Sequence, residues 1–446
     1  MTQTPTGPIG ICLLGGGNVG GGVLKILAAQ RDLLQRRTGL RFEVRHVVVR
    51  NVKKHAASDP GLPWTTDAAA AVDDPKVQVV LELMGGTNPA GALIERALKL
   101  GKPVVTANKS LLADRGPELF ALAHKHDTCI AFEASVGGGI PIIEALSRGL
   151  LANRIDALVG IVNGTCNVIL TRMTRNGWTY PQALEEAQKL GYAEADPSLD
   201  VSGRDAAQKL ALLASLAFNA RVSERDISVE GIEKLQPADI TFARSLGYVI
   251  KLLAVAERDA EGQLGLRVHP TLVHHTDVMA EVSGGFNAIS VFGNALGHAL
   301  FYGRGAGQMP TASSAVADLI SVALGIAPLS FRKLNIYPDS APPAKVLPPE
   351  QVRSRYYLRL TVKDQPGVMG QVSQILGAHK ISLSAILQPE TGDGQADPVV
   401  PVVITTHQAA DGPMRESLKA IDALATVIAP TVCLRVIDQP KEFAGE

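Results

Sequence analysis

The stretch Ile9-Gly-Ile-Cys-Leu-Leu-Gly-Gly-Gly-Asn-Val-Gly20 decides how the first part of the sequence folds. Ile9 to Leu14 is an apolar run of buried-strand type, and a helix-like segment, Val19 to Ala29, follows the glycines at once. Gly15-Gly16-Gly17-Asn18-Val19-Gly20 fits G-x-G-x-x-G. The pattern alone is weak, but between a strand and a helix it reads as a dinucleotide fingerprint. Gly15 permits the tight turn, Gly17 lets backbone approach a pyrophosphate, and Gly20 lets the helix close on the strand. The helix start supplies unpaired N–H groups and a positive dipole end. The alternative is a tight strand–helix turn that holds no ligand.

Working outward, Val44 to Arg50, Val77 to Leu83, Val104 to Thr106 and Cys129 to Phe132 are further apolar runs. Helical patterns at Ala90 to Leu100 and Pro117 to His126 lie among them. Buried strands alternating with helices predict an α/β region with a Rossmann-type, doubly wound parallel sheet over residues 1–134. The ribose reader belongs at the end of the second strand. The sequence offers Arg50 there, with Lys53 and Lys54 beyond, where an NAD-selective site would carry an acid. A cation suits a 2′-phosphate, hence NADP, with NAD possible; the alternative is a solvated basic turn. Two loops after strand ends, Gly85-Gly-Thr87-Asn88 and Thr106-Ala-Asn-Lys109, should border the nicotinamide, because ligands bind beyond the carboxyl ends of such strands.

Residues 135–335 mix a strand at Ala157 to Val162, helices at Pro181 to Leu190 and Ser202 to Ala220, alternating segments near Leu264, and a glycine-rich run from Ser283 to Gly307. This predicts an α+β substrate and dimerisation domain. In the Ser202 helix, Asp205 and Lys209 are four apart and their stripe continues through Leu212 and Leu216. A surface ion pair would sit on a stripe that stays polar, so the pair is expected to face a polar cavity at the head of a buried helix. A buried lysine is able to move protons near neutrality. Upstream, Gly191 is the expected stop of a helix, and Glu194 and Asp196 follow in a loop. Those carboxylates suit a substrate ammonium, or they belong to a plain polar connection.

Asn335 to Arg355 carries Pro338, Pro342, Pro343, Pro348 and Pro349, and residues 336–355 are expected to be a linker. Residues 356–437 then give the order βαββαβ of a ferredoxin-like module.

At 446 residues, about three domains are expected. Lys+Arg equals Asp+Glu at 43 each, so there is no basic footprint for nucleic acid. Hydrophobic residues make up 46%, which excludes bulk disorder. The longest apolar runs, such as Leu210 to Phe218, are far short of the roughly 20 residues that span a bilayer. The first residues lack the pattern of a signal peptide, and the expected location is cytoplasmic. Cys12, Cys129, Cys166 and Cys433 lie far apart, which argues against zinc or a disulfide framework.

Asn163-Gly-Thr-Cys-Asn167, Leu190-Gly-Tyr-Ala-Glu-Ala-Asp-Pro197, Asp200 and Gly203-Arg-Asp-Ala-Ala-Gln-Lys209 closely resemble the signature of homoserine dehydrogenases. So do Thr106-Ala-Asn-Lys109, Glu133-Ala-Ser-Val-Gly-Gly-Gly-Ile140 and Tyr302-Gly-Arg-Gly-Ala-Gly307, while the tail resembles an ACT regulatory domain. No kinase-like segment precedes the nucleotide domain, so the monofunctional form is expected. The resemblance implies NAD(P)-dependent, reversible reduction of L-aspartate 4-semialdehyde to L-homoserine. It implies Lys209 as proton donor and acceptor, with Asp205 and Lys109 beside it. Glu194, Asp205, Tyr192 and Asp200 would bind substrate. Gly15, Gly17, Asn18, Val19, Gly20, Arg50, Thr87, Lys109 and Gly307 would form the cofactor site. Glu133, Val136, Gly138 and Ile140 would hold a monovalent cation such as sodium, mostly through main-chain oxygens. An amino-acid effector, threonine, at the ACT domain and a homodimer or homotetramer are also implied. The rival reading is an amino-acid sensor whose dehydrogenase domain has lapsed.

Overall fold

A computed structural model describes residues 7–57, 59–389 and 399–438; residues 1–6, on which the reading of the first residues rests, lie outside it. The chain forms two compact units, each assembled from separated stretches. Met1–Gly164, Asp205–Ile227 and Gly285–Ala344 make the first, and Thr165–Arg204, Ser228–Gly284 and Lys345–Glu446 the second.

The first unit is built on six parallel strands: β1 (Ile9–Leu14), β2 (Phe42–Val48), β3 (Trp64–Thr65), β4 (Val79–Glu82), β5 (Val104–Thr106) and β6 (Ile130–Ala131). Their order, β3-β2-β1-β4-β5-β6, is that of a doubly wound sheet. β1 and β4 are buried along their whole length, which is why both read as unbroken apolar runs. The order reverses between β1 and β4, so the crevice beyond their carboxyl ends is where such a sheet receives a ligand. β3 is too short to leave a periodic signal. The helix expected from Pro117 runs instead from Lys109 to Lys125. Asn108 caps it by accepting the Leu111 N–H at 3.1 Å, and Pro117 sits inside it, forgoing one backbone bond. Lys109 is therefore the first residue of a helix and not a loop residue.

The remainder of this unit holds an antiparallel set, Ile155–Ile161, Phe286–Gly293 and Gly297–Arg304, the last two forming a hairpin from the glycine-rich run. Helix Gln308–Ala323 lies directly on helix Asn18–Ala29, because Gly22 has no side chain: a Cβ there would stand 2.8 Å from the Ala312 Cβ. Helix Arg204–Phe218 is buried nearly all round.

In the second unit, strand Tyr248–Arg258 pairs antiparallel with Leu264–His274 along its full length. The tail gives strand Arg353–Lys363, helix Val368–Ala378, strands Leu383–Leu387 and Val399–Thr406, helix Asp411–Asp422 and strand Val427–Val436. Arg353–Lys363 pairs antiparallel with both Val427–Val436 and Val399–Thr406, and Leu383–Leu387 lies outermost. Tyr356, Leu358, Leu360, Val372, Leu376, Ile404 and Ile421 fill its core. One sheet edge is not open to a second copy. Strand Leu264–His274 of the same chain pairs parallel with Val427–Val436, Thr271 opposite Arg435 and Leu272 opposite Val436. The proline-rich stretch expected to link is also tied down. Within the first unit Arg221 donates its N–H to Pro342 and accepts from Ala344, and within the second Leu264 donates to Lys345 and accepts from Leu347. Among the described residues no single helix is long and apolar enough to cross a membrane.

A buried ion pair anchors the tail. Arg359 meets both carboxylate oxygens of Asp239, at 2.6 and 3.2 Å, and donates to Gln236 at 2.8 Å. Asp239 is fully buried and its helix, Pro237–Ser245, lies outside the tail. Arg359→Ala strands a buried carboxylate and is expected to cost about 3–5 kcal/mol in urea unfolding. The double change Arg359→Met with Asp239→Leu should recover most of that loss. A single variant unfolding at the wild-type midpoint would show that the pair does not hold the tail in place.

Candidate active site

The glycine turn is shaped by close approaches. A Cβ on Gly20 would stand 2.0 Å from the Gly15 carbonyl oxygen, and one on Gly15, at φ +112°, would stand 2.7 Å from that of Leu83. Gly17 is different: nothing lies within 4 Å of where its Cβ would be. It occupies the N-cap of helix Asn18–Ala29 and no side chain caps that helix. The space and the uncapped N–H groups fit a pyrophosphate. Gln308 donates to the Asn18 carbonyl at 3.0 Å and accepts from Lys25, so Gly307, the cap of the next helix, borders the same turn. Arg50 is exposed just past β2, followed by helix Val52–Ala56 with Lys53 and Lys54.

Glu82 and Asn108 fix the two loops after β4 and β5. The buried Glu82 carboxylate accepts the N–H groups of Met84 and Gly85 on one oxygen and the Thr106 hydroxyl on the other. Asn108 donates its side-chain amide to the Gly86 carbonyl at 2.6 Å. Thr87, exposed, and Lys109 are thereby held at the carboxyl ends of adjacent strands.

Lys109, Asp205 and Lys209 come together. Lys209 Nζ lies 2.7 Å from Asp205 Oδ2 and 2.7 Å from the Val162 carbonyl oxygen, while Lys109 Nζ lies 3.1 Å from Asp205 Oδ1. Asn163 adds an amide donor to Oδ2 at 2.7 Å. The Lys209 side chain is 12% exposed and that of Asp205 6%. Burial works to raise the Asp205 carboxyl, but the ammonium groups of Lys209 and Lys109, with the bonds from Lys209 and Asn163, prevail and hold it at about 2. Two ammonium groups on one carboxylate leave the cluster net positive, which suits an oxygen that gains negative charge.

Tyr192, Glu194 and Asp200 belong to the second unit. Tyr192 and Glu194 lie on the connection from helix Tyr180–Lys189 to helix Ser198–Val201, and Asp200 lies within the latter. Tyr192 and Glu194 are exposed. The Thr165 hydroxyl ties the connection by donating to the Tyr192 carbonyl at 2.7 Å, and it also meets Asp200 at 3.2 Å.

Around Glu133 the side chain is already engaged, its carboxylate accepting the N–H groups of Ile143 and Glu144. Burial pushes this carboxyl up to about 7, against the backbone N–H groups of Ile143 and Ile142 and against Arg148, and Asp318 beside it is raised by burial and by Glu133. The carbonyls of Gly138 and Ile140 each accept one hydrogen bond, from Ser314 and Ile142, and a carbonyl has a second lone pair. Main-chain oxygens from this segment are thus chemically compatible with a hard monovalent cation. Among the described residues no cluster of three His, Cys, Asp or Glu side chains is placed to hold a metal.

Residue-by-residue reading missed Glu82, Asn108, Asn163 and Gln308 as positioning groups. Asn163 and Asn108 stood inside quoted motifs, but Glu82 lay within the apolar run Val77 to Leu83 and Gln308 lay outside every pattern.

Three family models match the chain: "Homoserine dehydrogenase, NAD binding domain" over residues 15–133, "Homoserine dehydrogenase" over 141–320 and "ACT domain" over 356–423. A homoserine dehydrogenase of Pseudomonas aeruginosa is 44% identical over 432 residues, covering 96% of this chain and 98% of its own. The crystal structure of a homoserine dehydrogenase from Thiobacillus denitrificans superposes with a TM-score of 0.91 at 42% identity, covering 97% of this chain and 99% of the other. A hyperthermophilic archaeal homoserine dehydrogenase mutant, solved in complex with NADPH, matches with a TM-score of 0.61 at 27% identity over 71% of this chain and 98% of that one. None of these matches supports the rival reading of a sensor with a lapsed dehydrogenase domain.

The depressed Asp205 carboxyl has a consequence for acid stability. A group whose native value is lowered from 3.8 to about 2 adds stability that is complete above 3.8 and vanishes as pH falls through about 2. Urea unfolding of wild type and Asp205→Asn across this window should show an extra loss of stability on acidification in the wild type. Parallel pH profiles would show that Asp205 is not held ionised by its two lysines.

Proposed function

The chain belongs to the homoserine dehydrogenase family, and from that premise we propose that it interconverts L-aspartate 4-semialdehyde and L-homoserine with NADP preferred over NAD, Lys209 carrying the proton. It is an oxidoreductase of a CH–OH group with a nicotinamide-binding domain. The observation that supports the assignment to Lys209 is its immobilisation. An ammonium has three N–H donors; the Val162 carbonyl and Asp205 take two, and the third is available to a substrate oxygen.

When bound, the dinucleotide supplies the hydride on reduction and accepts it on oxidation. Reduction puts negative charge on the aldehyde oxygen. Lys209 gives that oxygen a proton, and oxidation returns the proton to Lys209. Asp205 fixes the ammonium and Lys109 adds a second positive charge on the same carboxylate, so the charge that develops is met by groups already in place. Glu194 would take the substrate ammonium, with Tyr192 and Asp200 completing that end. Gly15, Gly17, Asn18, Val19, Gly20, Thr87 and Gly307 would hold the cofactor, with Arg50 on the 2′-phosphate. A monovalent cation such as sodium would lie on the main-chain oxygens of Glu133, Val136, Gly138 and Ile140. We further propose a division into residues 1–134 for cofactor, 135–335 for substrate and dimerisation, 336–355 as connection and 356–437 as ACT domain. The enzyme would be cytoplasmic, a homodimer or homotetramer, and lowered in activity by an amino-acid effector such as L-threonine.

Oxidation of L-homoserine, followed at the nicotinamide absorbance with NADP and NAD in parallel, tests the activity directly. In the same assay Lys209→Ala should keep cofactor binding and lose about 10²–10⁴-fold in kcat, the usual yield of general acid–base catalysis. Near-normal kcat would remove Lys209 from the mechanism. Arg50→Ala should weaken NADP by about 1.5–3 kcal/mol, the worth of a charge-assisted bond to phosphate, and leave NAD nearly unchanged. Equal weakening of both would mean that Arg50 does not read the phosphate.

A further inference from the structure

Lys109 and Lys209 stand on different helices, and only one of them is placed by its own helix. Lys209 shares helix Arg204–Phe218 with Asp205, so their separation follows from the i,i+4 spacing. Lys109 is the first residue of helix Lys109–Lys125, and its distance to Asp205 depends on how the two helices are set against each other. Its side chain is 27% exposed, against 12% for that of Lys209. First turns fray, because their N–H groups lack partners within the helix. Farther along, the two helices do not stay closed. A cleft of about 230 Å³ opens with Leu112, Ala113 and Pro117 on one side and Leu212 and Ser215 on the other. Whatever holds Lys109 on Asp205 must therefore act at the head of both helices.

The neighbours of the two lysines in the sequence make such a tie. Ser110 follows Lys109, and Gln208 precedes Lys209. The Ser110 hydroxyl donates to Gln208 Oε1 at 3.0 Å, and Gln208 Nε2 donates to Glu224 Oε2 at 3.1 Å. The two bonds fix each other's sense. A carboxylate only accepts, so it takes the NH₂ end of the Gln208 amide and leaves the carbonyl end toward Ser110. Gln208 is 8% exposed, so its amide has little water to turn to instead. Glu224 is anchored in turn. It opens the single turn Glu224–Asp226, which Ser223 closes by donating its N–H and its hydroxyl to Asp226 at 2.8 and 2.9 Å. The chain Glu224–Gln208–Ser110 thus runs from a fixed turn to the fraying end of the Lys109 helix.

We propose that Gln208 is a positioning residue for the reaction: through Ser110 it pins the first turn of the Lys109 helix, so that both lysines stay on Asp205. The inference rests on the assignment of the proton transfer to that cluster. Gln208 acts on the chemistry through Lys109 and touches no reacting atom. With Lys109 off Asp205, the second positive charge leaves the place where the substrate oxygen becomes negative, so turnover falls while substrate binding is kept.

The test is a double-substitution cycle on the full-length enzyme. Gln208→Met keeps the length of the side chain and removes both bonds. Ser110→Ala removes one bond at a half-buried position where alanine suits the helix, so it carries the test if Gln208→Met fails to fold. Each is also combined with Lys109→Ala. kcat and KM for L-homoserine oxidation and the urea unfolding curve at neutral pH are read for every variant. We expect Gln208→Met to lower kcat about tenfold and Ser110→Ala somewhat less, with KM within about twofold of wild type. In the Lys109→Ala background neither should lower kcat further. Equal losses in both backgrounds would mean that the tie serves the fold and not Lys109, and would overturn the proposal. Wild-type kcat in both single variants would overturn it too. If the wild type oxidises no L-homoserine with either cofactor, the proposed function falls and unfolding decides the positional link by itself. Stability losses that overlap between Gln208→Met and Lys109→Ala uphold the link, and losses that simply add overturn it as well.

Discussion

The carboxylate of Asp205, buried between two ammonium groups, is the constraint around which the first unit is organised. An isolated carboxylate at that depth would be protonated or expelled; two lysines and an asparagine amide keep it ionised. Each partner comes from a different place in the sequence. Lys109 starts the helix after β5, Asn163 follows strand Ile155–Ile161, and Lys209 lies one turn along the same helix as Asp205. The cluster therefore forms only when the end of the parallel sheet, the antiparallel set and the buried helix are all in register. The cluster proposed for the chemistry is therefore also a lock on the fold.

How far the sequence discloses this varies with the range of the interaction. The strand–glycine–helix unit at Ile9–Gly20 is local and was legible down to the close approaches at Gly15 and Gly20. The i,i+4 pair of Asp205 and Lys209 was legible as well, because an apolar continuation of a charged stripe contradicts a solvated surface. The third member of the cluster was legible only as a charged residue near a strand end. Its place depends on Asn108 starting the helix, and Pro117, a residue usual in first turns, pointed to the wrong start. β3 and the tie between Gln308 and Asn18 carried no periodic signal at all. The ion cluster was thus half visible in spacing and half dependent on tertiary register.

The tail shows a second kind of limit. Its βαββαβ order follows from local patterning, and its core of Tyr356, Leu360, Val372 and Ile421 closes on itself. What it docks against does not follow. The ladder between Val427–Val436 and Leu264–His274 and the Arg359–Asp239 pair join segments more than a hundred residues apart. An edge strand read in isolation invites a partner from another chain; here the same chain supplies it.

That ladder has a consequence for biosynthesis. Strand Val427–Val436 leaves the ribosome more than a hundred residues after Leu264–His274. Until that later strand is made, the buried flank at Thr271 and Leu272 lacks its final neighbour, although Ser228–Val229 can already pair at Arg267 and Val268. The nascent chain passes through an interval in which that flank is open to other nascent chains, and a chain stopped short by an early stop codon would keep it open for good. Dense polysomes and premature termination are therefore the conditions under which this protein should aggregate, even though the finished fold conceals the strand.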